Sequence, residues 1–274
     1  MSESDGRPQA AVPSAAVAAP TGPLLRAFML DVVLAALVLL VTGIATGLAW
    51  GAWRAVQVVR EAGGQVPEAA TAAAMGQPGA LAQMLMAAFG MSAAALVLYA
   101  LRRPATAAER RQSIAALRRR ATWAWSAGIG IAVFAGSSLL GWLMRRAGFE
   151  PVPTNLALVE EAARHWPVAL VVFAVALAPA YEELLFRRVL FGRFLAAGRP
   201  WLGLVLASLA FAMVHEMPGL SANPPAAVVQ LWAIYGAMGA AFAWLYWRTG
   251  TLWAPVLAHA LNNALALALH GLSS

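Results

Sequence analysis

Two glutamates stand side by side, Glu182 and Glu183, directly behind a run from Trp166 to Tyr181 that carries no charge. A charged side chain near the centre of a bilayer costs about 2.5–3.5 kcal/mol on insertion scales. Such a pair must be offset by partners or put to use. One partner is local. Arg187 stands four residues after Glu183, in the Glu-before-Arg order that favours an ion pair along a helix. It can neutralise Glu183 and hold it ionised. Glu182 points about 100° away on the same helix and has no such neighbour.

Partners for Glu182 must therefore come from other helices. A helical hairpin brings residues equidistant from its turn to one depth. With the turn near residue 198, Glu182 lies about 16 residues before it and His215 about 17 after, both ~24–26 Å from the tip. His259 lies about 9 residues, or ~14 Å, beyond the turn at Gly250, and Asn263 is one turn deeper on the same face. The helix bearing the glutamates projects beyond the bilayer, so these polar residues converge at similar depth.

Their types suit hydrolysis of an amide without a serine or cysteine nucleophile. A glutamate in an apolar cavity can act as general base on a water. His215 can orient it or help to activate that water, and His259 and Asn263 can donate hydrogen bonds to a developing oxyanion. The same four residues, Glu182, His215, His259 and Asn263, could instead ligate zinc or a similar divalent ion. The glutamate-base reading, which requires no cofactor, is preferred because no helix carries the His-Glu-x-x-His zinc arrangement. A lone His or Asn in an apolar helix is by default a helix–helix hydrogen bond; it is their joint occurrence that marks a site. Phe211, one turn before His215, packs around it.

The elements that must position these residues are membrane helices. The chain of 274 residues is 61% hydrophobic and 11% charged, with mean hydropathy +0.70. A soluble domain is nearer 45–50% apolar and about 25% charged. The apolar stretches exceed the ~17–25 residues that a spanning helix needs, and they lack the alternation of a β-barrel. The expected fold is all-α, a polytopic bundle of about seven transmembrane helices whose fourth, fifth and seventh form a buried site. Cysteine is absent, which excludes disulfides, thiolate metal sites and a cysteine nucleophile. The net charge of +7 comes almost entirely from arginine and reads as loop charge setting topology; no stacking or zinc motif supports nucleic acid as a partner.

Residues 1–22 read as a disordered cytoplasmic tail, residues 23–165 as an N-terminal three-helix membrane region and residues 166–274 as the catalytic core. The spans are expected from about Ala27 to Trp50, Ala80 to Leu101, Ala121 to Met144, Trp166 through the glutamates to Leu195, Trp201 to Glu216, Ala226 to Trp247 and Leu252 to His270. Residues 54–78, 102–120 and 145–165 are expected as loops. Asp31 reads as an interfacial acid that reaches the headgroups or caps its helix, and Glu216 as a span-terminal acid in water. Arg102, Arg103, Arg110, Arg111, Arg118, Arg119 and Arg120 face a single acid, Glu109, across one loop. The positive-inside rule sets that loop, and with it the N-terminus, in the cytoplasm, and the C-terminus outside. Alanine- and arginine-rich usage suggests a high-GC bacterium, hence a bacterial cytoplasmic membrane.

Glu182-Glu183-x-x-x-Arg187, Phe211-x-x-x-His215 and His259-x-x-x-Asn263 together resemble the three signature motifs of the CPBP group, the CAAX protease and bacteriocin-processing (Abi) intramembrane proteases. The stretch from Gly250 to Asn263 also looks like that family's last motif with its lead-in. The resemblance covers about residues 166–267. It implies an all-helical membrane endopeptidase, opening to the cytoplasm, acting on a membrane-associated peptide or protein. It implies Glu182 as the residue that activates water, aided by His215, with His259 and Asn263 as oxyanion stabilisers and Glu183 and Arg187 in support. The family is often named as metalloproteases, while its members that trim prenylated proteins are described as glutamate-dependent. Two other classes compete: an ion- or proton-coupled transporter, against which the lack of internal repeats counts, and a non-catalytic scaffold or immunity protein.

Overall fold

The computed structural model describes residues 20–64, 74–149, 151–217 and 219–273. The expected tail lies outside them up to residue 19, and Thr21 and Gly22 already belong to the first helix. Every element is helical and no strand occurs among the described residues.

Helix α1 spans Thr21–Glu61. It opens after Pro20 with Pro23 in its first turn, where a missing N–H leaves no bond unmade. It does not stop at Trp50, and the loop expected from residue 54 starts eight residues late. Nothing between Trp50 and Glu61 breaks a helix, Arg54 pairs with Glu61 at 3.1 Å, and the first residues with left-handed φ are Gly63 and Gly64. At 41 residues the helix is ~60 Å long, about twice the hydrocarbon thickness.

Helix α2 spans Ala80–Arg102. The arginine-rich segment behind it is not all loop. It folds into α3, Ala107–Leu117, because Thr106 and Glu109 form a reciprocal capping box that satisfies the first orphan N–H groups. Helix α4 spans Arg120–Arg146, and α5, Leu156–His165, occupies the end of the third expected loop. Helix α6 runs Pro167–Ala196, turns at Gly198 with φ +70°, and gives way to α7, Pro200–His215. Helix α8 spans Pro225–Thr249 and ends on Gly250, left-handed at φ +70°, whose N–H closes on the Tyr246 carbonyl. Helix α9 spans Trp253–Ser273.

Five of these helices, α1, α2, α4, α6 and α8, are long and apolar enough to cross a membrane. The other two expected spans are α7, with only 16 residues, and α9, whose apolar character His259, Asn262 and Asn263 dilute. Leu37, Leu40, Val41, Ile44 and Leu48 of α1 are 51–70% exposed. An apolar face of that extent belongs against lipid.

Helix α6 is the centre of the bundle. Its second half buries Leu185, Phe186, Val189, Leu190, Phe191 and Phe194, against Phe28 of α1, Leu98 of α2 and Phe211 of α7. The two expected regions are interleaved: α1 and α2 pack on α6, while α4 packs on α8 and α9. Asp31 neither reaches outward nor caps its helix. It is fully buried and joins three helices, accepting from Arg102 of α2 at 2.6 Å and from Arg193 of α6 at 2.9 Å. Close approach of α4 and α9 requires Gly130, because a Cβ there would lie 2.7 Å from the Ala258 carbonyl. That contact sets the depth and rotation of the next residue, His259.

Candidate active site

Helix α6 changes register twice. It is π-helical over Val172–Leu177 and Leu184–Phe191, and α-helical over Ala178–Glu183 between them. The glutamate pair therefore ends a short α stretch flanked by two wide turns. Such turns concentrate at functional sites because they leave backbone groups outside the usual ladder. One of those groups can be traced. Ala178 N–H bonds the Phe173 carbonyl, five residues back. In that register the donor to Ala174 would be residue 179, a proline without an N–H. Asn263 Nδ2 donates to the Ala174 carbonyl instead, at 2.8 Å.

The pairing read for Glu183 is present. Glu183 is fully buried and its Oε2 lies 2.9 Å from Arg187 Nε, itself 1% exposed. The contact is an ion pair without hydrogen-bond alignment, since neither atom has an aligned partner. Arg187 also donates from Nη2 to the Gly239 carbonyl at 3.4 Å. Its guanidinium carbon sits 4.6 Å from the Phe211 ring and 5.5 Å from Phe242. Phe211 thus packs against the cation as well as against His215, 4.2 Å away between ring centres.

Glu182 faces the other way, as its place on the helix requires. Its Oε2 lies 3.7 Å from His215 Nε2 and 3.9 Å from His259 Nε2. The hairpin and the seventh span do meet at one depth. Both imidazoles are held from behind. His215 Nδ1 is 2.8 Å from the Phe211 carbonyl, and His259 Nδ1 is 2.9 Å from Glu183 Oε1. With oxygen acceptors at both Nδ1 positions, the tautomer assigned to each ring has its proton there and a bare Nε2. Three acceptors, Glu182 Oε2 and two Nε2 atoms, then converge with no donor among them. A water or a cation at their focus would satisfy all three.

Asn263 does not share that focus by any direct bond. Its Nδ2 holds Ala174, and its Oδ1 accepts from Asn262 Nδ2 at 2.9 Å. The carbonyl oxygen that would ligate a metal already accepts this one hydrogen bond, and one amide hydrogen remains. Among the described residues no group of three or more His, Asp or Glu side chains is drawn together tightly enough to enclose an ion. By type, Glu182, His215 and His259 fit a divalent ion, each histidine backed by an acceptor as ligating histidines usually are, while Asn263 Oδ1 is bonded to Asn262.

Sequence reasoning missed three contributors. Helix α8 was expected only to pack, yet Tyr235 lies 4.6 Å from the His215 ring and Phe242 stacks on His259 at 4.9 Å. Their separation of seven residues puts both on one face, the one signal that could have found them. The third is Glu216. It is fully buried, not in water. Thr154 Oγ1 donates to both its oxygens at 2.9 Å, Asn223 Nδ2 donates to Oε1 at 2.9 Å, and Ser221 Oγ donates there too. Trp232 Nε1 donates to its backbone carbonyl at 2.7 Å. This hub fixes the chain immediately after His215.

Residues 164–265 match the Rce1-like family model, type II CAAX prenyl endopeptidase Rce1-like. A Bacillus subtilis (strain 168) protein described as “Putative membrane peptidase YdiL” is 30% identical over 97 residues, 35% of this chain and 35% of that one. The chain thus aligns with about a third of the length of that relative. No solved structure matches the chain. The matched segment carries the glutamate pair, both site histidines and Asn263, so over residues 164–265 the chain is similar to the Rce1-like type II CAAX prenyl endopeptidases.

Proposed function

We propose that the protein is an intramembrane endopeptidase that hydrolyses a peptide bond of a membrane-associated substrate, with Glu182 as general base. The observation that carries this reading is the convergence of Glu182 Oε2 on His215 Nε2 and His259 Nε2. A water at that focus gives its proton to Glu182 while His215 Nε2 accepts from its second hydrogen. The hydroxide oxygen bonds to the carbonyl carbon, and the carbonyl π electrons move onto oxygen. His259 serves the oxyanion once its Nε2 has taken a proton from solvent, keeping Nδ1–H on Glu183 and donating Nε2–H into the site; the free amide hydrogen of Asn263 is the second donor. Collapse of the tetrahedral species breaks the C–N bond, and Glu182 returns its proton to the leaving amine. Glu183 holds His259 in place through Nδ1, and Arg187 supplies the counter-charge of Glu183.

The cavity is set in the cytoplasmic membrane of a bacterium, with the arginine-rich end of α2, α3 and α4 inside, the N-terminus inside and the C-terminus outside. The second reading is metal-dependent. A divalent ion on Glu182, His215 and His259 would supply a water of lowered pKa; the backed Nε2 atoms are the observation that favours it. The test is purified, chelator-treated protein with a membrane-fraction substrate. Full activity without bound metal and none in Glu182→Ala supports the base; loss on chelation with recovery on zinc supports the second reading. Full proteolysis by Glu182→Ala would falsify both.

A further inference from the structure

A cavity of about 570 Å³ lies at the arginine-rich end of the bundle, between α2, α3, the second half of α6, α8 and the start of α9. It touches none of Glu182, Glu183, His215 or His259, so the proposed hydrolysis does not use it. Its volume is that of a ligand pocket. One wall is cationic and the other apolar. Arg103, Arg110 and Arg188 face it with a single acid, Glu109. Opposite them stand Leu184, Leu195, Trp247, Leu252 and Trp253.

The charges are unevenly matched. Arg188 is engaged at its tip, where two terminal nitrogens donate to both oxygens of Glu109 at 3.0 and 2.8 Å and to the Pro104 carbonyl at 3.0 Å, although its Nε is buried without an acceptor. That bond, first among the causes, holds the Glu109 carboxyl down to about 2, so Glu109 is a fixed anion already taken by Arg188. Arg110 donates to the Ala105 carbonyl at 2.6 Å. Arg103 is left short. Among the described residues its one carboxylate contact is to Glu109, at a long 3.8 Å; its Nε is buried without an acceptor, and 24% of its side chain is exposed. Burial and the neighbouring Arg188 charge both weaken its hold on its proton. A second anion would relieve it. The lining sums to three cations and one anion, a net of two positive charges, and the orientation proposed above turns it to the leaflet where anionic lipids attract arginine.

We propose that this cavity binds the phosphate of an anionic phospholipid, with Arg103 as its main contact and the glycerol and upper acyl chains against the Trp247 and Leu195 wall. The phosphate chemistry is shared with soluble phosphate esters; the apolar wall and the membrane position favour the lipid.

The test uses the full chain in neutral detergent, with phosphatidylglycerol, phosphatidylcholine and soluble glycerol 1-phosphate compared by native mass spectrometry and thermal unfolding. Phosphatidylglycerol should bind and raise the unfolding temperature, and the other two should not. Arg103→Gln should weaken that binding about five- to tenfold. Ala196→Trp, placed at an exposed position on the cavity rim, should block it without removing a charge, which keeps the test open if Arg103→Gln folds poorly. Arg118→Gln with Arg119→Gln, exposed and outside the cavity, should leave it unchanged. Equal binding by Arg103→Gln and Ala196→Trp, or equal loss in the Arg118/Arg119 variant, overturns the site. Equal protection by glycerol 1-phosphate assigns it to a soluble ester, and displacement by a peptide with a free carboxyl terminus assigns it to substrate; either result overturns the lipid. None of these readouts depends on proteolysis.

Discussion

The side-chain amide of Asn263 takes the place of a backbone donor for Ala174, 2.8 Å away, because the residue that would supply it in the π register is Pro179. Helices α6 and α9 are thereby pinned one turn from the point where His259 meets Glu183. In a bilayer an orphaned carbonyl has no water to turn to. Asn263→Ala should lower stability by about 1–3 kcal/mol. Pro179→Ala restores a backbone N–H, so in the double variant part of that loss should be recovered. Thermal unfolding of the two single variants and the double measures the coupling; additive losses would show that Ala174 and Asn263 are not linked in this way.

The two adjacent glutamates should separate by assay. Glu182 has only partial burial and faces the histidines, so Glu182→Gln should cut kcat at least ~100-fold while leaving the unfolding temperature unchanged. Glu183 neutralises a fully buried arginine. Glu183→Gln leaves Arg187 as an uncompensated charge and should cost about 3–5 kcal/mol of stability, with activity lost alongside it. Denaturation curves read beside kcat decide; the reverse ranking would exchange their roles.

Much of this site was legible because it obeys local rules. The i, i+4 spacing gave the Glu183–Arg187 pair, and counting residues from Gly198 brought His215 opposite Glu182. What the sequence hid was of two kinds. Partners far apart along the chain cannot be seen from one helix: Asp31 meets Arg102 and Arg193, and Glu216 meets Thr154, only once the bundle is assembled. Register changes leave little trace either. The wide turns in α6 have no signal but Pro179, and without them Asn263 looks free to serve the oxyanion with both of its hydrogens. Helix α3 was hidden by its charge, although Thr106 and Glu109 spell its capping box.

Asp31 makes a further case. It is the one acid between two arginines from α2 and α6, and α1 otherwise buries little. Asp31→Asn removes the charge both arginines share and should release the start of α1 from the bundle. The expected result is a loss of about 3–5 kcal/mol with faster limited proteolysis near the N-terminus, while the spacing of Glu182 and His215 is kept. Undiminished stability in Asp31→Asn would mean that the arginines find lipid phosphates instead.

Glu216 gives a prediction in pH. Burial pushes its carboxyl up, but the hydrogen bonds from Ser221, Asn223 and Thr154 outweigh burial and hold it below its ordinary value of 4.5. A carboxyl depressed in the folded state binds fewer protons there than in the unfolded chain. Its contribution is therefore complete above about pH 4.5 and is lost as pH falls through the lower folded value. Stability of the wild type should fall with acid in that window more steeply than that of Glu216→Gln, which has no proton to bind. The same variant should lose activity at neutral pH, since the loop fixed by Glu216 begins next to His215, and the loss should appear in kcat with KM little changed. Unfolding temperatures taken in steps between about pH 3 and pH 6 check the first part. Parallel curves for the two proteins would remove Glu216 as the anchor of that loop.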